Sequence, residues 1–331
     1  MSFHHFARSP LHHIPISVYS VFSVVNLLLT DFDMSDIKIG LIGGSGLGDA
    51  LGAEAGERHD IDTPFGKPSA PILTTRWHDV DVAICQRHGI GHTLNPSAVP
   101  YRANLWALKS LGVTHVLASG ATGSLREEYK PRDLVIVDQL IDKTHKRANT
   151  FYECAAVHVE FSEPFCPVMR RWLLDASKKL NGVSVHDGGT YIVMEGPAFS
   201  TKAESHMHRQ WGGDLIGMTA MPEAKLAREA ELAYALLALP TDYDCWRPHD
   251  LAPGEKINPQ ALLEEIIGNL KAATANAVEL MKLALTDVTA LRDTPSPAHS
   301  ALALGIWSDK SKLDPAEVQR LDLLWGKYFT N

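Results

Sequence analysis

The chain is poor in the features that mark several classes of protein. Its four cysteines are scattered over 331 residues and form no C-x-x-C pair, so neither a metal site nor a disulfide framework is expected. Acidic residues outnumber basic ones, and a net charge of −8 argues against a protein that neutralises nucleic-acid phosphates. We therefore expect a globular protein of a reducing, cytoplasmic compartment with no nucleic-acid partner.

The chain also lacks an apolar stretch long enough to cross a membrane as a helix. Residues 14–29 are apolar with interspersed serine, which makes them too short and too polar for a membrane helix. Few basic residues precede this stretch and no A-x-A-like site follows it, so export is a minority interpretation. Met34 stands immediately before the first predicted strand. We expect no membrane partner, and an extension over residues 1–33 that is disordered or lies upstream of the natural start.

Strand-like and helix-like segments alternate from residue 37 to about residue 291. Predicted strands cover residues 37–42, 71–75, 80–85, 113–118, 133–138, 190–194, 214–218 and 234–239. Predicted helices cover residues 97–111, 168–180, 222–233 and 261–291, and the capping box of residues 201–204 begins another. This alternation predicts one α/β domain over residues 34–291. A C-terminal helical extension over residues 292–331, with a helix opened by Asp314, is expected to pack on its surface.

The domain opens with a strand that runs into a glycine-rich loop, IKIGLIGGSGLG, at residues 37–48. Gly43, Gly44 and Gly46 allow several backbone N–H groups to point into one hollow, and Ser45 adds a hydroxyl. The spacing matches neither the dinucleotide-binding nor the P-loop pattern. By itself the loop fits a phosphate site and a simple strand-ending turn equally well.

A second candidate anion site follows the strand at residues 80–85. Arg87 and His88 lie in a segment with two glycines, and a loop arginine beside a histidine suits an anion through charge-assisted hydrogen bonds. His92 is four residues from His88, but the intervening glycines make a helical metal pair implausible. A solvated turn is the alternative for this segment.

Taken in order, the segments resemble the S-methyl-5′-thioadenosine phosphorylases of the purine nucleoside phosphorylase superfamily. The matching pieces, over residues 37–247, are IGLIGGSGL, DTPFGKPS, RHGIGHTLNPS, YRANLWALKSLGVTHV, GSLREE, VIVDQLIDKT, EPFCP, EGPAFSTKAES, WGGDLIGMTAMPEAKLARE and TDYDCW. The resemblance implies a twisted, central mixed β-sheet flanked by helices, a homotrimer, and no metal or organic cofactor. It also implies cleavage of methylthioadenosine by inorganic phosphate, a co-substrate, to adenine and 5-methylthioribose 1-phosphate.

The resemblance also assigns residues to the site. The residues expected to bind phosphate are Ser45, Arg87, His88, Gly120 and Ala121. The family usually has Thr or Ser at position 120, so one hydroxyl contact is missing here, and Ser119 is the candidate substitute. The residues expected to bind the nucleoside are Phe199, Met218, Thr219, Thr241 and, reaching a neighbouring subunit, His158.

Further departures from the family surround the nucleoside. Ala198 stands where the family often has Arg, and Gly217 stands where it often has Asn. The segment around His158 looks shortened, and residues 257–262, where the family has a wall of the 5′-pocket, show little recognisable pattern. Selectivity for a 5′-methylthio over a 5′-hydroxyl group is therefore the least defined part of the prediction.

Asp242 is the predicted catalytic acid, with Asp244 in a supporting catalytic role. Adenine presents an acceptor at N7 and a donor at its 6-amino group, and one protonated carboxyl group can serve both. Protonation of N7 improves the leaving group, and an apolar pocket would raise the pKa of the acid toward that task. Relatives that prefer 6-oxopurines generally have Asn here, so Asp242 indicates a 6-aminopurine. The alternative for either residue is a loop cap after the strand.

Three rival functions stay open. A phosphorylase of the same fold could act on adenosine, methylthioinosine or another purine nucleoside. A nucleosidase would use water, which an intact anion site at Arg87 and His88 disfavours. A non-catalytic nucleoside-binding protein is the third, and phosphate-dependent release of adenine would exclude it.

Overall fold

The computed structural model describes residues 37–43, 56–248 and 258–329, all within one compact unit of the chain. The predicted N-terminal extension, Ser45 and the rest of the glycine-rich loop after Gly43 lie outside the described residues. Within these ranges no helix is both long and apolar enough to cross a membrane.

One mixed sheet forms the centre of the fold, and in the described residues it has eleven strands. The strands are β1 Lys38–Gly43, β2 Glu57–His59, β3 Ile72–Trp77, β4 Val80–Gln86, β5 His115–Ser124, β6 Leu134–Ile136, β7 Gln139–Asp142, β8 Val185–Asp187, β9 Thr190–Val193, β10 Leu215–Gly217 and β11 Ala233–Asp242. Along the main path the order is β2-β3-β4-β1-β5-β10-β9-β7. Off this path, β11 pairs with β5 and β6, and β6 also pairs with β8. Central strands such as β1 and β11 are almost wholly apolar because both of their faces are covered.

Strand β5 organises the sheet because it meets three neighbours. It runs parallel to β1 and to β11, while Gly123 and Ser124 at its end pair antiparallel with β10. Strand β4 is parallel to β1 as well. The carboxyl ends of β1, β4, β5 and β11 therefore lie at one edge of the sheet, which is where α/β folds bind their ligands.

Helices flank this sheet. They are α1 Tyr101–Ser110, α2 Pro167–Ser177, α3 Lys202–Gln210, α4 Ala220–Glu229, α5 Pro259–Leu285, α6 Thr289–Asp293, α7 Pro315–Arg320 and α8 Asp322–Trp325. The predicted capping box is confirmed, since Thr201 and Glu204 bond to each other's backbone N–H at the start of α3. Asp314 caps α7, with Pro315 in its first turn.

Several predicted boundaries differ from the structure. The glycine-rich residues 119–124 continue β5 rather than ending it, because their small side chains let β11 pair along the whole strand. The strand predicted at residues 133–138 is shorter, since β6 covers only Leu134–Ile136, and neither β7 nor the three-residue β8 was predicted. The long helix predicted to residue 291 ends at Leu285, and a separate turn of helix, α6, follows.

The C-terminal segment packs more deeply than a surface extension. Leu321, Leu324 and Trp325 belong to the main hydrophobic cluster, and Trp325 is fully buried with its ring 4.8 Å from that of Tyr152. Glu231 accepts hydrogen bonds from the backbone N–H of Leu302 and from the Tyr328 hydroxyl. The segment is therefore part of the core's packing.

Candidate active site

The carboxyl edge of the sheet encloses a cavity of about 440 Å³, a volume typical of small-molecule sites. It is lined by β5, by the ends of β9, β10 and β11, by the loop after β4 and by α5. The predicted site residues that line it are Arg87, His88, Gly120, Ala121, Phe199, Met218, Thr219, Thr241, Asp242 and Asp244. Among the predicted residues that the structure describes, only His158 does not line this cavity.

Arg87 follows β4, and its side chain is held by a buried carboxylate. Its Nε and Nη2 donate to the two carboxylate oxygens of Glu223 at 2.8 and 3.0 Å, and Nη1 donates to the Ser119 carbonyl at 2.9 Å. Both side chains of the ion pair are only 1% exposed, and the Tyr234 hydroxyl also donates to Glu223. Burial opposes the charge of Arg87, but Glu223 outweighs it and raises the pKa of the guanidinium. Arg87 is thus a fixed cation at the cavity wall.

His88 is fixed in one tautomer by the same loop. Its Nδ1 lies 2.8 Å from the Leu94 carbonyl, and because a carbonyl only accepts, Nδ1 carries the proton. Burial lowers the pKa of His88 to about 4, with the charge of Arg87 acting in the same direction. The imidazole is therefore neutral near pH 7, with Nε2 as an acceptor. Gly89, Gly91 and His92 have positive φ, so the segment is a turn and not a helix, as predicted.

Asp242 ends β11 and is held by its own turn. The Thr241 hydroxyl lies 2.7 Å from Oδ2, and the backbone N–H of Asp244 donates to Oδ1 at 2.7 Å. Burial raises the pKa of Asp242, and the charge of Asp244 adds to the rise, against these hydrogen bonds. A Cβ at Gly123 would lie 3.2 Å from that of Asp244 and 3.4 Å from Asp242 Oδ1. Glycine therefore lets β5 approach the turn closely.

Helix α5 supplies one wall of the cavity, which was not predicted from the sequence. Ile266, Leu270 and Thr274 line the cavity, and their spacing of four residues places them on one face of the helix. This spacing is the signal that could have identified them. Residue 257 lies outside the described residues, and residues 258–262 do not line the cavity.

Two predicted residues stand apart from the centre of the cavity. Phe199 lies at its rim and is 84% exposed in the single chain. His158 is exposed elsewhere: its backbone N–H donates to the Gly305 carbonyl, and its ring packs 4.7 Å from that of Trp307. The structure therefore does not bring His158 to the cavity of its own chain.

Arg147 was not singled out from the sequence, yet it ties together the loops under the cavity. Its Nη2 donates to the Glu195 carbonyl at 2.6 Å, and its Nη1 donates to the carbonyls of Met218 and Met221. Burial opposes ionisation of Glu195, but hydrogen bonds from Ser97 and the backbone of residue 145, with the charge of Arg147, lower its pKa to about 2. The loop after β9 is thereby fixed to the segment after β10.

Tyr191 explains why residue 217 is a glycine. Its side chain is fully buried, and a Cβ at Gly217 would collide with its hydroxyl. Burial raises the pKa of Tyr191 to about 12, and hydrogen bonding with Thr219 opposes that rise. The tyrosine thus occupies the space above Gly217 and contacts a predicted site residue.

No group of three or more His, Cys, Asp or Glu side chains in the described ranges is arranged to hold a metal ion.

Known proteins are similar to this chain in both sequence and fold. Residues 38–285 match the phosphorylase superfamily. An S-methyl-5′-thioadenosine phosphorylase from Synechocystis is 46% identical over 302 residues, covering 89% of each chain. The crystal structure of a methylthioadenosine phosphorylase from an antarctic soil metagenomic library matches with a TM-score of 0.77 and 42% identity, covering 87% of this chain and 99% of that one.

A mutant adenosine/methylthioadenosine phosphorylase from Schistosoma mansoni, solved with methylthioadenosine, matches with a TM-score of 0.71 and 34% identity. The alignment covers 82% of this chain and 99% of that chain. The predicted fold class, a mixed central sheet flanked by helices, is confirmed by these neighbours. The chain belongs to the phosphorylase superfamily and, within it, to the family of the S-methyl-5′-thioadenosine phosphorylases.

Proposed function

We propose that the chain cleaves S-methyl-5′-thioadenosine with inorganic phosphate, giving adenine and 5-methylthioribose 1-phosphate. One observation carries the proposal: a single cavity joins a fixed cation, Arg87, to a half-buried carboxyl group, Asp242. Arg87 lies beside Gly120 and Asp242 beside Gly123. Three residues of strand separate these positions by about 10 Å, which suits a nucleoside that points its sugar at phosphate and its base at the acid.

At the phosphate end, Arg87 and the backbone of β5 neutralise the nucleophile beneath the sugar. Neutral His88 offers Nε2 as an acceptor for the proton that hydrogen phosphate carries. Attack of a phosphate oxygen at C1′ forms the new C–O bond. The C1′–N9 bond breaks at the same time, and its electron pair leaves with the purine. Over a turnover phosphate loses one proton and adenine gains one, so the two ends of the cavity must handle protons in opposite senses.

At the base end, Asp242 donates its proton to N7 and accepts from the 6-amino group. The raised pKa of Asp242 supports this role because the acid must be protonated before the bond breaks. Ile266 and Leu270 on α5 present apolar surface to the cavity. This surface would pack against a methylthio group, whereas it would leave a 5′-hydroxyl without a hydrogen-bond partner. Methylthioadenosine therefore fits better than adenosine.

The direct test is product analysis with and without phosphate, using methylthioadenosine, adenosine and methylthioinosine. We expect adenine and a sugar 1-phosphate only when phosphate is present, and the highest kcat/KM for methylthioadenosine. Release of adenine at the same rate without phosphate would indicate a nucleosidase. No release from any nucleoside would indicate a binding protein.

The proposal includes a homotrimer in which His158 reaches a neighbour's 5′-pocket. His158 is exposed away from its own cavity, beside Trp307, which is 71% exposed. Sedimentation at the concentrations used for kinetics tests this, and a fully active monomer would contradict it.

We further propose that the enzyme is cytoplasmic and needs no metal or organic cofactor. Cell fractionation tests the compartment. Unchanged turnover after dialysis against a chelator tests the absence of a cofactor.

A further inference from the structure

A group of buried polar atoms behind Asp244 is not used by the proposed reaction. Asp244 Oδ2 and His208 Nδ1 have no hydrogen-bond partner among the described residues. His208 and Ser205 are almost fully buried and lie three positions apart on α3, on one face of the helix. Such atoms are rare in folded proteins because each costs free energy when it is left unpaired.

That face of α3 is directed at the turn after β11. The Cys245 thiol donates to the Ser200 carbonyl at 3.3 Å, just before α3, and the Arg209 guanidinium of α3 lies 3.5 Å from the centre of the Trp246 ring. Burial and the charge of Asp244 raise the pKa of the Cys245 thiol, and a hydrogen bond with Ser205 opposes the rise. Asp244 is also one of the charges that act on the His208 imidazole. Ser205 and His208 therefore both lie close to the segment that carries Asp244.

The protonation of His208 follows from its other nitrogen. Lys143 Nζ lies 2.7 Å from His208 Nε2, and because an ammonium group only donates, Nε2 is the acceptor. Burial and the charge of Lys143 lower the pKa of His208, against Asp244 and Glu204. The neutral ring then carries its proton on Nδ1. A donor without a partner thus lies near an acceptor without a partner, Asp244 Oδ2.

We propose that Lys143, His208 and Asp244 form a hydrogen-bonded chain, in which His208 Nδ1 donates to Asp244 Oδ2 through one water and stabilises the charge of that carboxylate. This inference rests on the proposed function, since it makes Lys143 and His208 positioning residues for the acid Asp242. The Asp244 carboxylate keeps the proton on Asp242 by like-charge repulsion, and the backbone N–H of Asp244 fixes Oδ1 of Asp242.

The titratable Cys245 thiol also lies beside Asp244, whose charge acts on it. Lys143, Glu204 and Asp244 act on His208, while Asp244 acts on Asp242. Without His208, the Asp244 carboxylate loses the donor that stabilises its charge, and its repulsion of a charge on Asp242 weakens. Asp242 then loses its own proton at lower pH, and turnover falls because the acid must be protonated.

The test is His208→Phe, assayed with methylthioadenosine across pH. We expect kcat to fall about tenfold and the basic limb of its pH profile to move down by about one unit. The KM for phosphate should stay within about twofold of the parent's, since that end of the cavity is untouched. His206→Phe is the matched control, because His206 is exposed on the same helix and should leave both quantities unchanged.

His208→Gln should restore most of the turnover, since its amide oxygen accepts from Lys143 and its amide N–H donates to Asp244. In an Asp244→Asn background, His208→Phe should cause no further loss, because the chain acts through Asp244. Equal losses in the Phe and Gln variants, or full additivity with Asp244→Asn, would overturn the proposal. An inactive parent would contradict the proposed function, whereas an active parent that tolerates His208→Phe would contradict this chain alone.

Discussion

The two ends of the cavity are built in opposite ways. At the phosphate end, Arg87 forms an ion pair with Glu223, and both side chains are 1% exposed. At the base end, Asp242 has only neutral donors, and Asp244 Oδ2 has no partner among the described residues. One end holds a charge that cannot change, and the other holds a carboxyl group whose burial favours the protonated form.

This contrast matches the different demands of the two ends. Binding a dianion needs a cation whose position costs no reorganisation when the ligand arrives, which the buried ion pair provides. Proton donation needs an acid that can both hold and release its proton, and fixed ionic partners would prevent that. Substitutions at the phosphate end should therefore change binding and stability together, whereas those at the base end should change turnover.

The largest effect is expected at the base end, from Asp242→Asn. The amide keeps the shape but removes the acid, so kcat/KM for methylthioadenosine should fall by about 10²–10⁴-fold. Methylthioinosine should gain relative to methylthioadenosine, because the amide can donate to a 6-oxo group and the mismatched edge now falls on the amine. Kinetics with both nucleosides measure the switch, with Asp244→Asn as the control that should act more weakly. Near-parental turnover and preference would mean that another residue reads the base.

The second effect tests the ion pair at the phosphate end. Arg87→Ala removes a charge-assisted contact worth about 1.5–3 kcal/mol, which corresponds to a rise in the phosphate KM of about 10–150-fold. The KM for the nucleoside should change little. Because the variant leaves the Glu223 carboxylate buried and unpaired, the free energy of unfolding should also fall by about 3–5 kcal/mol.

The double variant Arg87→Ala/Glu223→Gln separates these two consequences. It removes the unpaired charge, so much of the lost stability should return, as measured by denaturant unfolding. The phosphate KM should stay high. Recovery of phosphate binding along with stability would show that Arg87 acts only through the fold. Equal effects on the KM of nucleoside and phosphate would contradict its assignment to the phosphate end.

The sequence predicted much of the fold and many of the residues that line the cavity, but not the contacts that support them. Alternating apolar runs and a capping box identify the strands and α3 because those signals are local. Arg87 and Glu223 are 136 residues apart, and nothing in either segment indicates that they pair. Tyr191 and Gly217 likewise compensate each other only across neighbouring strands, β9 and β10. The strand predicted to end at residue 118 continues because its glycines are used for close packing, which composition alone cannot distinguish from a turn.

The smallest effect is expected at Gly120, where the resemblance to the family predicts a hydroxyl that this chain lacks. A Cβ there would lie 3.5 Å from Thr219 Oγ1 and 3.9 Å from Arg87 Nη1, which are ordinary contacts, so a side chain fits without displacing the ion pair. Gly120→Ser should therefore restore one hydrogen bond, worth about 0.5–1.5 kcal/mol, and lower the phosphate KM by about 2–12-fold.

Gly120→Ala is the matched control, because it adds the Cβ without the hydroxyl and should leave the phosphate KM near the parent's value. Neither variant should alter the preference for methylthioadenosine over methylthioinosine, since the base is read about 10 Å away. If serine and alanine raise the phosphate KM equally, the space beside Gly120 is needed by phosphate itself. In that case the missing hydroxyl would be an adaptation of this chain's phosphate end, with Ser119 or Thr219 in its place.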